Sequence, residues 1–347
     1  YIGEDIQMCD KPLIGILCDT LYSETYNSID PGLKRITLMQ FTPESIHWTD
    51  RKIEGLVFEN NKWQKSILDF PVAVYNQRYI NSSKIARRLE KVIGKGKVFN
   101  IYTMFDKYTI YKILNGSSLA DFMIPTWHYD PILLFNKLSE GQTILVKPAR
   151  GSYGNSIVKF KKTGNEYEAY PQTNYPTEKW ETTRQLFSYI NKTRIASPSY
   201  DYIMQPFINF ISDGDNVFDM RFLVQKNAKG DWEVTADLCR ISCDGFFITN
   251  MACEILPIEE MLNNKDMDLA LIFQMKDISM KAAKLIESKL GSMGELCVDF
   301  GIEKNGRLRI IEINGKPDKS LFKFINNEIY EKALFTPFLY AEYLAKQ

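Results

Sequence analysis

The segment Cys297-Val-Asp-Phe-Gly-Ile-Glu-Lys-Asn-Gly-Arg-Leu-Arg-Ile-Ile-Glu-Ile-Asn314 holds two carboxylates in a pattern that could do chemistry. Two strand-like runs flank Asn305-Gly306, the strongest short hairpin cue, because that dipeptide tolerates the positive φ values of a tight turn. With Asn305 and Gly306 as the loop, Lys304 pairs with Arg307, and counting back sets Asp299 directly opposite Glu312. Side chains alternate along a strand, so Val298, Phe300, Ile311 and Ile313 fall on the core side, while Asn314 joins the acidic side. Opposed carboxylates, with Cβ atoms about 4.5–5.5 Å apart, repel each other unless a cation lies between them. Magnesium suits that place, being a hard ion held by one or two carboxylates plus nucleotide phosphates. The alternative is that both acids face solvent and pair with Lys304, Arg307 or Arg309.

A second pattern lies upstream. Ile144 to Lys147 is expected to form a strand, Gly151-Ser152-Tyr153-Gly154-Asn155-Ser156 a flexible loop, and Ile157 to Phe160 the returning strand. Glycine lets a backbone approach closely, so such a loop can lay N–H groups over phosphates; it can equally be an ordinary hairpin turn. No Gly-Lys-Ser/Thr occurs and no helix follows, which excludes a P-loop. Lys147 at the loop's foot and Lys107 at the start of the preceding helix could neutralise phosphate, though either alone could be a surface lysine. Arg221 alternates with Asp219 on one strand face. Its fork can clamp a phosphate bidentately or serve a cross-strand ion pair. Arg240 and Asn250, near the ends of the next strands, carry the same ambiguity.

The elements that must position these groups fall into successive units. Leu13 to Cys18, Gly55 to Phe58 and Val72 to Tyr75 are short apolar runs separated by helical stretches, the texture of a small α/β unit. Ser82 or Ser83 can cap a helix carrying Ile85, Leu89 and Val92, which Gly94 stops, and Lys97-Val98-Phe99 reads as the next strand. From Asp106, Tyr108, Tyr111 and Leu114 follow helical spacing up to Asn115-Gly116, and a second unit is expected to begin there. Thr163 to Ser199 is polar, with Pro171, Pro176 and Pro198 and a short helix around Gln185 to Ile190, and reads as a surface excursion. Asp219 to Ile248 reads as antiparallel sheet, Met220, Phe222 and Val224 alternating with Asp219, Arg221 and Leu223. A helix over Leu269 to Leu290 is expected to pack on it through Leu269, Ile272, Phe273, Met280, Ala283 and Ile286.

Composition sets the outer bounds. At 347 residues the chain exceeds the roughly 250–300 at which single cores stop growing, so more than one packed unit is expected. Lysine plus arginine equals aspartate plus glutamate at 43 each, so no excess positive charge exists for a nucleic-acid backbone or an anionic membrane. The cysteines (Cys9, Cys18, Cys239, Cys243, Cys253, Cys297) are scattered without a CxxC pair, and His47 and His128 are the only imidazoles. Neither a zinc site nor a disulfide framework is expected, and a reducing cytosol is the simpler setting. The apolar run Leu13 to Cys18 is far short of the roughly 20 residues that span a bilayer. The chain begins at Tyr1, which leaves room for a trimmed segment upstream.

Taken in order, Asp106-Lys107, Leu145-Val-Lys147-Pro with its Gly-Ser-Tyr-Gly loop, Tyr202-Ile-Met-Gln205-Pro, Asp219-Met-Arg221, Thr249-Asn250, and Val298-Asp299-Phe with Ile311-Glu312-Ile-Asn314 resemble the ATP-grasp superfamily. Within it, Asp219-Met-Arg-Phe-Leu-Val-Gln-Lys226, Gly230-Asp-Trp232-Glu-Val and Ile311-Glu-Ile-Asn-Gly-Lys-Pro317 resemble the YheC/YheD-type, endospore coat-associated branch. The likeness covers roughly residues 100 to 330, and the ordered set is far more specific than any one member.

The resemblance implies an α/β (α+β) ATP-grasp fold. Two α+β subdomains, residues 105–205 with the glycine-rich loop and 206–347 with the metal site, would grip ATP behind a small α/β N-terminal domain of residues 1–104. It implies that Lys107 and Lys147 contact the nucleotide, that Gly151, Ser152, Tyr153, Gly154, Asn155 and Ser156 close over the β- and γ-phosphates, and that Gln205, Pro206, Phe207 and Ile208 form the hinge against adenine. Asp213 or Asp215 would reach the ribose. Arg221 would stabilise the transferring phosphoryl group, with Arg240 and Asn250 as further catalytic or positioning side chains. Asp299, Glu312 and Asn314 would hold magnesium, or manganese in its place.

The implied activity is ATP-dependent ligation of a carboxylate to an amine through an acyl phosphate. A kinase of the same fold acting on a hydroxyl, and a coat-associated nucleotide-binding protein without turnover, are the alternatives. The implied partners are ATP, a small-molecule or peptide carboxylate and an amine, with no nucleic acid and no membrane; a homo-oligomer stays open. The implied location is the cytoplasm, with association to the endospore coat. Relatives often carry a glycine pair after Thr-Asn and a glycine after the final Lys-Pro. Ala252-Cys253-Glu254 and Asp318 stand here instead, so the shape of the acceptor pocket does not carry over.

Overall fold

A computed structural model describes residues 11–21, 35–59, 62–79, 83–151, 156–193, 195 and 201–347. The early apolar runs form a sheet of order β3-β4-β2-β1-β6-β7, with β5 hairpinned to β4. Its strands are β1 (Leu13–Leu17), β2 (Thr37–Phe41), β3 (Ile46–His47), β4 (Lys52–Glu59), β5 (Lys62–Asp69), β6 (Ala73–Asn76) and β7 (Val98–Phe99). β1, β2, β6 and β7 pair in parallel, and parallel strands are covered on both faces, which is why they read as unbroken apolar runs. Helix α1 (Ser83–Ile93) covers one face through Ala86 and Leu89. Helix α7 (Asn327–Lys346), the last of the chain, covers the other through Leu334, Phe335 and Phe338.

The second sheet runs β12-β11-β10-β9-β13-β8, from β8 (Trp127–His128), β9 (Ile144–Pro148), β10 (Val158–Thr163), β11 (Glu166–Pro171), β12 (Glu178–Trp180) and β13 (Tyr202–Pro206). Helices α3 (Pro131–Ser139) and α4 (Thr183–Lys192) bury Leu134, Leu138, Leu186 and Ile190 in its core. The region expected to be a surface excursion therefore supplies two strands besides the expected short helix. Its strands are short and charged, but Tyr167 and Ala169 alternate into the core, and Thr182 with Gln185 closes a capping box at the start of α4. Pro198 lies outside the described residues.

The third sheet, β17-β16-β15-β18-β19 with β14 beside β15, is antiparallel. It contains β14 (Ser212–Asp213), β15 (Asn216–Lys226), β16 (Trp232–Ser242), β17 (Ala252–Leu256), β18 (Glu295–Ile302) and β19 (Leu308–Asn314). Its apolar face, Met220, Phe222, Val224, Val298 and Phe300, packs on α6 (Ala270–Leu290) and on α2 (Lys107–Asn115); α5 (Ile258–Asn264) lies against the same core. The buried stripe of α6 runs through Ile272, Met275, Ser279, Ala282, Ala283 and Ile286. Phe273 and Leu269, expected in that stripe, are 76% and 40% exposed, because the stripe is set by Met275 and Ser279 rather than by the most apolar neighbours.

The β18–β19 hairpin departs from the expected two-residue loop. Glu303 N–H donates to Arg307 O at 2.9 Å and Gly306 N–H to Glu303 O at 2.8 Å, so the loop holds three residues and ends on Gly306 at φ 83°. Phe300 then pairs with Ile310, one residue out of the expected register, and a bulge restores Asp299 opposite Glu312. The bulge turns Ile311 out of the core, where Ile310 takes its place. Among the described residues no helix is long and apolar enough to cross a membrane.

Candidate functional site

The second and third sheets face each other across an open cleft, about 1060 Å³ including the solvent at its mouth. Leu145, Phe207, Ile208, Phe210 and Phe247 give it apolar walls, while Lys107, Lys147, Asp219, Arg240, Asp299 and Glu312 supply its charge. Lys147 stands on β9 and is buried; desolvation pulls its ammonium down to about 8, with Glu312 opposing that shift and Lys107 adding to it. Lys107 opens α2 because Asp106 caps that helix, its carboxylate accepting from Thr109 N–H at 2.8 Å. The Lys107 ammonium reaches both Gly151 O at 3.0 Å and Glu312 Oε1 at 3.1 Å.

Across the cleft the buried charges form a chain. Arg221 grips Asp299 with Nε and Nη2, each at 2.8 Å. Arg240 grips Asp219 with the same two nitrogens and reaches Asp299 Oδ2 at 3.2 Å. Thr249 Oγ1 donates to Asp219 Oδ2 at 2.6 Å, and Asn314 Nδ2 lies 3.4 Å from Asp299 Oδ2. Burial pushes the Asp299 carboxyl up, but the two guanidinium groups outweigh it and hold the group below its ordinary value. At the lining Asp219, Asp299 and Glu312 thus meet Arg240, Lys107 and Lys147 in equal number, with Arg221 behind Asp299 as a fourth cation.

The expected site residues distribute unevenly. Lys107, Lys147, Gly151, Gln205, Pro206, Phe207, Ile208, Arg240, Asn250, Asp299 and Glu312 line the cleft. Gln205 is oriented by Thr126, Nε2 donating to Oγ1 at 2.8 Å. Asn314 lines a smaller pocket that adjoins the cleft at Glu312. Arg221 stands behind the lining with its fork engaged by Asp299, so it is not the open phosphate clamp that its alternation suggests. Asp213 is exposed, pairs with Lys265, and is off the cleft; Asp215 is exposed and off it too. Ser152, Tyr153, Gly154 and Asn155 lie outside the described residues, and Ser156 closes the loop at φ 65°.

Two features escape the sequence reading. Lys159 on β10 is buried with its ammonium 4.5–4.7 Å from the ring centroids of Phe247, Tyr170 and Phe207, and burial lowers it to about 8. Its neighbours Lys161 and Lys162 make it look like one more solvated charge. Cys243 and Cys253 form a disulfide, where no disulfide framework and a reducing setting were expected. The β16–β17 register, Ser242 opposite Ala252, brings their Cα atoms to 4.9 Å and so brackets Thr249-Asn250. Cys18, Cys239 and Cys297 are free and buried; Cys9 lies outside the described residues.

A sequence model of YheC/D-like ATP-grasp proteins matches residues 95–344. The chain belongs to the YheC/D-like ATP-grasp family. It is 25% identical to the endospore coat-associated protein YheD of Bacillus subtilis over 88% of this chain and 70% of YheD. Among solved structures, this ATP-grasp chain is similar to the ATP-grasp ligase PsnB complexed with minimal precursor, Mg and ADP. The TM-score is 0.54 at 14% identity, over 96% of this chain and 98% of that one. It is also similar to the D-alanine–D-alanine ligase of Coxiella burnetii, with a TM-score of 0.52 at 12% identity, over 96% and 94% of the two chains. At those identities the structures support the ATP-grasp fold, which grips ATP between two α+β halves, and the superfamily binds ATP with magnesium.

Proposed function

We propose that this ATP-grasp chain binds magnesium-ATP in the cleft and uses it to activate a carboxylate, which an amine then captures to form an amide. The observation that carries the reading is the convergence of Lys107, Lys147 and Arg240 with the opposed Asp299 and Glu312 in one cleft. A triphosphate would meet the ammonium groups of Lys107 and Lys147, while a divalent ion would offset the carboxylates. In this reading residues 105–205 and 206–347 are the two gripping halves and residues 1–104 the preceding domain.

Adenine would lie along Gln205, Pro206, Phe207 and Ile208, whose backbone and apolar side chains line the cleft. Lys147 and Lys107 would neutralise phosphate oxygens, and the Gly151–Ser156 loop would lie over the β- and γ-phosphates. The donor set suits a hard divalent ion. Asp299, Glu312 and Asn314 carry oxygen ligands on neighbouring strands, and among the described residues no third carboxylate, histidine or cysteine joins them, which leaves coordination positions for phosphate oxygens. These three side chains would hold magnesium, which when bound neutralises charge on the phosphates. Arg221 and Arg240 would fix the Asp299 carboxylate, and Arg240 would face the transferring group with Asn250.

The carboxylate oxygen of the substrate attacks the γ-phosphorus as the bond to the bridging oxygen breaks, its electron pair leaving on ADP. An amine nitrogen then attacks the acyl carbon, phosphate departs, and the nitrogen loses its proton. Positioning and fixed charge carry such transfers, and exclusion of water protects the acyl phosphate. The relative named as endospore coat-associated supports a place at the coat.

The test is ADP release by the purified chain with a screen of amino acids and short peptides, followed by mass spectrometry. Carboxylate- and amine-dependent release with an amide product is expected. A phosphorylated product that needs no amine identifies a kinase, and ADP release indifferent to every carboxylate overturns the ligase reading.

A further inference from the structure

The loop between β16 and β17 touches both sides of the cleft. Phe247, Ile248, Thr249 and Asn250 line it from the third sheet, and Thr249 fixes Asp219. The same loop reaches across to the connection between β11 and β12. There Asn174 N–H donates to Gly245 O at 2.6 Å, and Phe247 N–H to Gln172 O at 3.1 Å. The Phe247 ring meets Phe207, just after β13, edge to face with centroids 5.6 Å apart, and it covers the Lys159 ammonium at 4.5 Å. Gln172 takes a left-handed φ of 63°, a conformation unfavourable for a residue with a Cβ, so the surrounding contacts must hold it there. The loop is thus a clasp between the two sheets.

The strand ladder behind this clasp is broken beside the Cys243–Cys253 bond. Ile241 pairs with Glu254 and Ser242 with Ala252, so Cys253 is the extra residue of a bulge and has no residue opposite it. The disulfide ties that unpaired position back to Cys243. Cys253 is exposed and Cys243 half-buried, so a thiolate from solvent can reach the bond. Exposed disulfides are the exchangeable ones, whereas those sealed in a core resist reduction.

We propose that Cys243–Cys253 is a redox switch on the nucleotide cleft: the oxidised bond holds the clasp shut, and its reduction by a dithiol opens the clasp and lowers nucleotide affinity. One thiolate of the dithiol attacks Cys253 Sγ, the S–S bond breaks, and its electron pair leaves on Cys243 Sγ, which takes up a proton. The second thiol of the reductant loses its proton and displaces Cys253 Sγ from the mixed disulfide, and Cys253 is protonated in turn. Two electrons and two protons pass to the protein as the reductant closes its own disulfide. The effect on nucleotide rests on the reading proposed above, whereas the clasp is a property of the loop itself.

The test uses the full chain, oxidised and then reduced with dithiothreitol. A fluorescent ADP derivative with magnesium reports affinity, thiol titration reports the bond, and hydrogen exchange reports the Asn174 and Phe247 amides. Reduction adds two thiols, removes the protection of both amides, and weakens ADP at least about fivefold, the lower end of the usual coupling between sites. Reoxidation reverses all three. Coupling is reciprocal, so saturating ADP disfavours reduction in a dithiol buffer by the same factor. Cys243→Ser with Cys253→Ser binds ADP as the reduced chain does and ignores reductant. A cooperative melt shows that this variant is folded, and the wild-type cycle carries the test without it.

The switch is overturned by ADP affinities within about twofold in the two states, by no thiols gained on the folded chain, or by a reductant effect that persists in the double variant. ADP that binds in neither state overturns the nucleotide reading instead. The two amides then decide the clasp: protection lost on reduction upholds it, and protection unchanged overturns it.

Discussion

Arg221 on β15 and Asp299 on β18 stand directly opposite and meet fork to fork, both side chains buried. The pair ties an arginine that alternation presents as a phosphate clamp to a carboxylate that alternation presents as a metal ligand. Removing one partner of such a buried pair strands the other charge, so Arg221→Ala is expected to lower stability by about 3–5 kcal/mol. Arg221→Met combined with Asp299→Leu is expected to recover most of that loss without restoring ATP turnover. Urea denaturation checks the first outcome and ADP release the second; a single variant with the wild-type urea midpoint would show that the pair has no structural role.

If the cleft binds nucleotide as proposed, Lys147 is expected to give that binding a pH dependence. Burial lowers its ammonium to about 8, so in the free protein it is charged below that pH and increasingly neutral above it. Phosphate oxygens favour the charged form, so ADP affinity is expected to be full below about pH 8 and to fall toward tenfold per unit above it. Titrations with a fluorescent ADP derivative, without magnesium, measure the profile. Lys147→Met should bind more weakly at low pH and lose the slope, and a wild-type affinity constant through about pH 9.5 would exclude this role for the lysine.

The Cys243–Cys253 bond closes the turn that carries Phe247, Ile248, Thr249 and Asn250 into the cleft. A loop of this size limits the unfolded chain by about 2–3 kcal/mol in the loop-entropy account. Reductant is expected to lower the melting temperature, while Cys243→Ser with Cys253→Ser melts at one temperature in both conditions. Thiol titration of the denatured, unreduced chain counts the pair directly. A wild-type melting temperature indifferent to reductant would sink this expectation.

Period-two alternation made the third sheet legible, since Met220, Phe222 and Val224 bury on one face as residues alternating with charges must. The Asp299–Glu312 pairing is legible by the same rule, although by an accidental route: a third loop residue shifts the register and the bulge at Ile311 shifts it back. Neither carries a signal in a single sequence, because Asn-Gly suits both loop lengths. The β11 and β12 strands stayed hidden because few of their residues are apolar, whereas α4 was legible as the short helix around Gln185 to Ile190. Docking of α7 on the first sheet joins residues some three hundred positions apart, which no local pattern encodes.

Glu312 separates the metal role from the structural one. Its side chain is 22% exposed, and its one ion pair among the described residues, to Lys107, is partly open to solvent, a situation worth about 0–1 kcal/mol. Glu312→Ala is therefore expected to leave the melting temperature within a few degrees of wild type, since about 1 kcal/mol moves a chain of this size by roughly 2–4 °C at most. Lys107, released from the carboxylate, should keep or strengthen its hold on phosphate, so ADP binding without magnesium should not weaken. Turnover that depends on magnesium should disappear, because only Asp299 would remain as a carboxylate ligand and two guanidinium groups already occupy it. ADP release at the wild-type rate, measured on protein free of contaminating ATPases, would rule out the metal-holding role of Glu312.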